Sequence, residues 1–203
     1  MKGIFLVQAT LLALLLVASN ISKAEEGLKL GSPSYGGSGC PAGSAQANLS
    51  PDQNELSILF DSYLVEAGGG NKKTVDRKAC TLSIPVHVPQ GYSVSIFQVD
   101  YRGFASIPSR GRVDFTAEYF FAGGRGPQLK KSLMGPQVDT FTFTDELLAE
   151  GYVWSRCGDS VNLRINTSLM AMTNRNKEQT LASVDSADVS NSLIYHLQWK
   201  RCN

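Results

Sequence analysis

Hydrophobic and polar residues alternate along much of the chain, which is the pattern of β-strands with one buried face. The clearest alternation runs from Cys80 to Val88, where every second residue is apolar. Pro89, Gln90 and Gly91 then predict a tight turn into a second strand. Further strand-like segments are found at 44–49, 55–65, 113–121, 140–144, 161–172 and 193–199.

The strand that follows the turn changes phase partway along. Tyr92 and Ile96 belong to one alternating apolar set, whereas Phe97 and Tyr101 belong to the opposite set. This switch predicts either a β-bulge at Ile96–Phe97 or a strand that is covered on both faces. In the preceding strand, Pro85 has no N–H to donate to a neighbour, which predicts an edge strand or a local irregularity.

Helical periodicity is almost absent from the sequence. Residues 145–150 are long enough for only a turn or two of helix, and residues 173–191 are the longest predicted loop. Many short strands separated by Gly, Pro and Asn turns predict an all-β fold. We expect an antiparallel β-sandwich of jelly-roll or immunoglobulin-like type.

The N-terminus has the features of a secretory signal peptide. Lys2 precedes a long apolar run, and small residues lead up to a cleavage site after Ala24. Cleavage removes Lys2 and Lys23, so 19 basic residues become 17 against 18 acidic ones, a net charge of −1. Such a charge gives no support to a nucleic-acid partner, and no later apolar run is long enough to be a transmembrane segment. We predict a signal peptide at 1–24, a flexible Gly/Ser-rich lead at 25–39 and a single domain at 40–203.

All four cysteines lie after the predicted cleavage site. They are Cys40, Cys80, Cys157 and Cys202. An even number in an exported chain predicts disulfides, whereas the alternative of a zinc site lacks cysteines at ligand spacing. Four cysteines allow three pairings. We favour Cys40 with Cys80 and Cys157 with Cys202, and we expect a secreted protein that is extracellular, periplasmic or on the cell surface.

Several short motifs follow one another along the predicted domain. They include GCPAGS from Gly39, LSPD from Leu49, VPQGY from Val88, VDYRGF from Val99 and WSRCG from Trp154. As an ordered set they resemble the domain of unknown function 4360 family, small secreted cysteine-containing proteins of bacteria and fungi. The resemblance extends from Gly39 to Cys202. It implies a secreted, disulfide-bearing β domain and no particular reaction.

Two carboxylates are the catalytic pattern that the strand order suggests. If 92–107 and 111–121 form a hairpin, Asp100 lies opposite Glu118 and Arg102 lies one diagonal step away. A pair of carboxylates flanking a cleft is what a glycosidase requires. The alternative is a surface salt bridge between Arg102 and one of these acids, which is common and weak.

Other recognisable catalytic or cofactor motifs are missing from the sequence. There is no G-x-S-x-G nucleophile elbow, no Asp-rich calcium loop and no metal or cofactor signature. His87 and His196 lie on the polar side of their strands, where an imidazole ordinarily faces solvent. The sequence therefore predicts no cofactor and more readily a binding protein than an enzyme.

The segment Tyr101, Arg102 and Phe104 is the predicted ligand-binding surface. Aromatic rings and an arginine on a rigid strand can stack on a sugar or anchor a protein. The alternative is that the aromatic residues fill the core. We expect a non-enzymatic binding module for an extracellular glycan or protein. The alternatives are a secreted glycosidase-like hydrolase using Asp100 and Glu118, and a structural component of the cell envelope.

Overall fold

The computed structural model describes residues 27–148, 152–184 and 193–202. The predicted signal peptide, and residues 185–191 of the predicted 173–191 loop, lie outside the described residues. Within the described ranges the chain forms thirteen strands and a short 3₁₀ helix at Gly69–Asn71. In chain order the strands are β1 (Lys29–Leu30), β2 (Ser34–Gly36), β3 (Ala45–Leu49), β4 (Glu55–Phe60), β5 (Leu64–Ala67), β6 (Val75–His87), β7 (Tyr92–Ile107), β8 (Arg112–Phe121), β9 (Gln128–Met134), β10 (Gln137–Glu146), β11 (Ser160–Met172), β12 (Thr180–Ser183) and β13 (Leu193–Arg201).

These strands form two sheets that pack face to face. Sheet A has the order β1-β6-β11-β8-β9, with β2 also paired to β6. Sheet B has the order β3-β4-β13-β7-β12-β5, with β10 also paired to β7. The pairings are antiparallel, and apolar residues from both sheets form one core. The prediction of an antiparallel β-sandwich is confirmed.

Strand β7 is the centre of sheet B and carries the predicted irregularity. β10 pairs with one edge of β7, while β13 and then β12 pair with the other. His196 pairs with Gln98 and Leu197 pairs with Ile96, which leaves Phe97 as an extra residue on β7. The bulge predicted at Ile96–Phe97 is therefore confirmed.

The predicted hairpin between β7 and β8 is wrong. β7 belongs to sheet B, whereas β8 belongs to sheet A and pairs with β11 and β9. The turn at Pro108–Gly111 therefore carries the chain from one sheet to the other. Alternation specifies which residues of a strand face inward, but it does not specify which strand lies alongside.

The predicted flexible lead is also wrong over its described part. Lys29–Leu30 and Ser34–Gly36 both pair with β6, and Leu28 is buried in the core. Backbone pairing needs no large side chain, so a Gly/Ser-rich segment can complete an edge. The carbonyl of Pro85 accepts a hydrogen bond from the Gly31 N–H at 2.8 Å on this edge. The N–H that Pro85 lacks would face the same side, where β1 has ended.

The two disulfides join the pairs of cysteines that we favoured. Cys40 is bonded to Cys80 on β6, and Cys157 is bonded to Cys202 after β13. The first bridge attaches the N-terminal segment to sheet A. The second attaches the end of sheet B to the segment that leads into β11 of sheet A, so it closes one end of the sandwich.

Two smaller predictions differ from the structure. Asp145 and Glu146 continue strand β10 instead of starting a helix, because they pair with Val99 and Gln98 of β7. The predicted loop after Thr173 contains β12, whose short ladder with β5 and β7 is buried. In both places neighbouring strands override a weak local preference.

Candidate functional site

The structure separates the two predicted catalytic carboxylates. Asp100 on β7 has Thr144 and Ile194 as its ladder neighbours in sheet B. Glu118 on β8 has Asn166 and Gln128 as its neighbours in sheet A. Both side chains alternate with core residues and so face outward, on opposite faces of a sandwich whose sheets pack about 10 Å apart. They cannot flank one glycosidic bond.

Asp100 instead belongs to a hydrogen-bonded cluster on the outer face of sheet B. Asp100 is only 7% exposed. The Thr144 hydroxyl donates to Oδ1 at 2.7 Å, and Nε2 of His196 lies 3.0 Å from Oδ2. The Gln98 amide donates at 3.4 Å, and Nη2 of Arg102 lies 3.9 Å away. Both carboxylate oxygens of Asp100 thus interact with neighbouring side chains of the same sheet.

These contacts determine the ionisation of Asp100. Burial acts to raise its pKa, but the hydrogen bonds from Thr144 and His196, the charge of His196 and the Gln98 amide lower it further than burial raises it. The pKa of Asp100 is therefore below its usual value, and the side chain is a carboxylate at neutral pH.

His196 is not the solvent-facing residue that the sequence predicted. Its side chain is 20% exposed, and Nδ1 lies 3.5 Å from Oε1 of Glu55 while Nε2 faces Asp100. Among the described residues, hydrogen bonds from His196 to a serine, threonine or cysteine are absent, and the Thr144 hydroxyl donates to Asp100 and not to the imidazole. The sequence could not reveal this cluster because its members come from four strands, β4, β7, β10 and β13.

The residues of the predicted ligand-binding surface lie on opposite faces of sheet B. Tyr101 is 0% exposed and its ring packs against Phe115 with centroids 5.0 Å apart, so it is a core residue and not a ligand contact. The side chain of Arg102 is 41% exposed and Phe104 is half-buried on the outer face. A ligand-binding role for Arg102 and Phe104 stays a prediction.

A pocket at the end of the sandwich gathers aromatic and polar side chains that the sequence analysis did not connect. Its volume is about 340 Å³. We call it the aromatic pocket; its lining residues are Gly27, Asp52, Gln53, Asn54, Pro89, Tyr92 and Trp199. They come from four separate parts of the chain, which is why no single motif points to the pocket.

Two half-buried rings form the apolar wall of the aromatic pocket. Tyr92 begins β7 and Trp199 lies near the end of β13, where the sheet extends past the core. Their centroids are 6.5 Å apart in an edge-to-face arrangement, and Cζ of Arg201 lies 5.9 Å from the Tyr92 centroid. Each ring packs on the core along one side and faces the pocket along the other.

A turn between β3 and β4 forms the polar wall. The Asp52 carboxylate accepts hydrogen bonds from the Ser50 hydroxyl at 2.5 Å, from the Asn54 N–H at 3.3 Å and from the Asn54 side-chain amide at 3.2 Å. The hydrogen bond from Ser50, with those from Asn54, lowers the pKa of Asp52 below its usual value. The wall therefore presents a carboxylate and the side-chain oxygen of Asn54, both of which accept hydrogen bonds from hydroxyl groups.

The Cys157–Cys202 disulfide supports the aromatic pocket from behind. The Cys202 N–H donates to the Gly91 carbonyl at 2.8 Å, and the Gly158 N–H donates to the Tyr92 carbonyl at 2.9 Å. The Gln90 side chain donates to the Gly158 carbonyl at 2.7 Å. The cross-link therefore fixes the turn from which Tyr92 projects.

In the part of the chain that the structure describes, groups of three or more His, Cys, Asp or Glu side chains in a ligating arrangement are absent. Nor does this part of the chain contain a helix that is long and apolar enough to cross a membrane.

Comparison with known proteins places the chain in a family. Residues 26–202 match the model of a family described as domain of unknown function 4360, so the chain belongs to that family and the resemblance of its motifs is confirmed. An uncharacterised secreted protein of Arthroderma benhamiae is 33% identical over 171 residues, which are 83% of this chain and 69% of the relative. The chain is likewise a secreted protein, and its two disulfides fit an extracellular location.

Solved structures resemble the chain only distantly. A family 61 carbohydrate-binding module in complex with β-1,4-galactotriose is 11% identical with a TM-score of 0.29, covering 84% of this chain and 88% of its own. A family 11 carbohydrate-binding module from Clostridium thermocellum is 9% identical with a TM-score of 0.22, covering 86% and 91%. With scores this low, neither likeness supports a shared ligand.

Proposed function

We propose that this member of the domain of unknown function 4360 family is a secreted, non-enzymatic binding protein whose ligand is a glycan held in the aromatic pocket. The observation that carries the proposal is the pair of half-buried rings, Tyr92 and Trp199, opposite the polar turn at Asp52 and Asn54. A sugar has the matching chemistry, since its C–H faces suit aromatic rings and its hydroxyls donate to oxygen acceptors.

The shape of the pocket favours a small ligand over a protein partner. Its volume of about 340 Å³ lies within the range of pockets that enclose small molecules. A stable protein partner typically covers about 800 Å² of surface instead. The hydrolase alternative loses its support because Asp100 and Glu118 face opposite sides of the sandwich.

A glycan array of the mature, oxidised protein, followed by calorimetry with the tightest neutral oligosaccharide, tests the proposal. Replacing Trp199 by Ala should weaken binding at least about tenfold, a loss of about 1.4 kcal/mol. Since Trp199 also contacts the core, Asn54→Ala serves as a second variant. Asn54 is exposed and outside the core, so its replacement should weaken binding about threefold with little change in melting temperature.

Phe104→Ala is the matched control, because Phe104 is a half-buried aromatic residue on the surface that the sequence originally suggested. Glycan affinity should be unchanged in this variant. If Phe104→Ala abolishes binding while Trp199→Ala and Asn54→Ala do not, the ligand lies on the outer face of sheet B and the assignment to the aromatic pocket is wrong.

A further inference from the structure

The two outer faces of the sandwich carry different charges. On the outer face of sheet A the basic side chains outnumber the acidic ones; they are Lys29, Arg77, Arg112, Lys130 and Arg164 against Asp114 and Glu118. Arg112 is paired with Asp114 at 2.7 Å. On the outer face of sheet B the acidic side chains outnumber the basic ones; they are Glu55, Glu66, Asp100 and Glu146 against Arg102 and Lys200. Sheet A is therefore the face that attracts an anion.

An arginine without a partner lies in the middle of this basic face. Arg164 on β11 is exposed, and within the described ranges it makes neither an ion pair nor a side-chain hydrogen bond. Its ladder neighbours are Ser83 on β6 and Phe120 on β8. A guanidinium with all its donors unused, fixed on the central strand of a sheet, is suited to bidentate binding of a carboxylate.

Arg164 is one of the residues that line an open pocket of about 340 Å³. Its lining residues are Thr81, Phe120, Ala122, Gly123, Arg164 and Asn166. An adjoining pocket of about 380 Å³ shares Ala122 and Gly123, and contains Arg156 and the half-buried ring of Trp154. Arg156 is exposed and, among the described residues, also has no acidic partner within 4 Å. Asp159 also lines this second pocket, and the Lys200 ammonium lies 4.0 Å from the Trp154 centroid, so two cations and one carboxylate surround that ring. Each pocket thus contains an arginine beside an aromatic ring.

We propose that these two pockets form a second binding site, which takes an acidic polysaccharide built of uronic acids. A uronic acid combines a carboxylate for Arg164, a ring face for Phe120 and hydroxyls for Thr81 and Asn166. Two successive arginine-containing pockets suit a polymer that repeats its charge. An acidic peptide would supply carboxylates for the arginines. It would not make the ring contact with Phe120 and the hydrogen bonds with Thr81 and Asn166 that a sugar makes.

Glu118 determines on which side of Arg164 the carboxylate of the ligand binds. Its carboxylate accepts a hydrogen bond from the Asn166 amide at 3.3 Å, on the side of Arg164 away from Asn162. Because like charges repel, the bound carboxylate lies on the Asn162 side of Arg164. Glu118 therefore opposes binding, and removing its charge should tighten it.

Binding of a short glucuronic acid oligomer to the mature, oxidised protein tests this site, with the glucose oligomer of the same length and linkage as the neutral comparison. Arg164→Gln should weaken uronate binding about tenfold, the effect of losing a charge-assisted hydrogen-bonded pair. Glu118→Gln should strengthen it about two- to fivefold. Binding of the uronate should also weaken as salt is raised from about 50 to 300 mM.

Arg102→Gln is the matched control, since it removes the same charge from a partly exposed arginine on the opposite face. It should leave uronate affinity unchanged. Equal losses from Arg102→Gln and Arg164→Gln, equal affinity for the glucose oligomer, or equal affinity for a polyglutamate of matched charge would each overturn the proposal, as would no measurable uronate binding at low salt.

This site does not depend on the aromatic pocket. Trp199→Ala should leave uronate binding intact, and Arg164→Gln should leave binding of the neutral glycan intact. Failure of one site is therefore distinguishable from failure of the other.

Discussion

Replacing Tyr101 by Phe should make the protein more stable. The Tyr101 hydroxyl is buried in the core and has no hydrogen-bond partner among the described residues. Burial, together with Tyr195, Tyr119 and Asp145 nearby, raises the pKa of Tyr101 far above its usual value, so the hydroxyl stays protonated. An unsatisfied buried hydroxyl costs about 1–3 kcal/mol. Phe removes that group and keeps the ring contact with Phe115.

We expect a gain of about 1 kcal/mol in the free energy of unfolding, which corresponds to about 2–4 °C in melting temperature for a domain of this size. Urea unfolding followed by tryptophan fluorescence, with both disulfides intact, measures it. The midpoint should rise while the m-value stays constant. Tyr119→Phe is the matched control, because the Tyr119 hydroxyl donates to Asp145 at 3.3 Å. That variant should lose about 0.5–1.5 kcal/mol.

The result that refutes this reasoning is a loss of stability in Tyr101→Phe equal to that in Tyr119→Phe. It would mean that the Tyr101 hydroxyl is satisfied in solution, for example by an ordered buried water. Glycan and uronate binding should be unchanged in Tyr101→Phe, because the ring is completely enclosed by the core.

Two further predictions concern the outer-face cluster and the disulfides. Asp100→Asn should cost about 1–3 kcal/mol at neutral pH; because the folded-state pKa of Asp100 is lowered, this stabilisation is present above about pH 4 and is lost as the pH falls through that pKa. The difference between variant and native protein in urea unfolding should thus shrink in acid, and a difference independent of pH would contradict the assignment. Serine at both Cys157 and Cys202, which are 45 residues apart, should lower stability by about 4 kcal/mol and weaken glycan binding in calorimetry. Serine at both Cys40 and Cys80, 40 residues apart, should cost similar stability with glycan affinity retained, so equal affinity in the two double variants would argue against a supporting role for the second bridge.

Local features of the sequence were sufficient for the longer strands and for the phase switch in β7, but not for β1, β2, β9 and β12, which lie outside the predicted strand segments. Alternation is a property of neighbouring residues, so the face that Val99 and Tyr101 occupy could be predicted without knowing any partner strand. The pairing of β7 with β13 and β10 could not, since strand neighbours depend on where the chain goes after each turn. The error on Asp100 and Glu118 came entirely from assuming that two consecutive strands pair.

The aromatic pocket was beyond sequence reasoning for a different reason. Tyr92 and Trp199 are in phase with the inward-facing residues of their strands, but alternation does not tell where along a strand the core ends. The half-buried state of both rings arises because they lie at the strand ends, next to a turn contributed by Asp52 and Asn54. A strand-end aromatic residue is therefore a candidate surface residue even when its phase is inward.

The bulge at Phe97 determines which residues of β7 reach the surface. Before it, Val94 and Ile96 face the core; after it, Val99 and Tyr101 do. Without the extra residue the second half of β7 would turn over, which would bury the charges of Asp100 and Arg102 and expose Tyr101. The phase switch in the sequence is therefore the feature that places the Asp100 cluster on the outer face of sheet B and Tyr101 in the core. It explains why the charged and aromatic residues of one motif face opposite sides of the same strand.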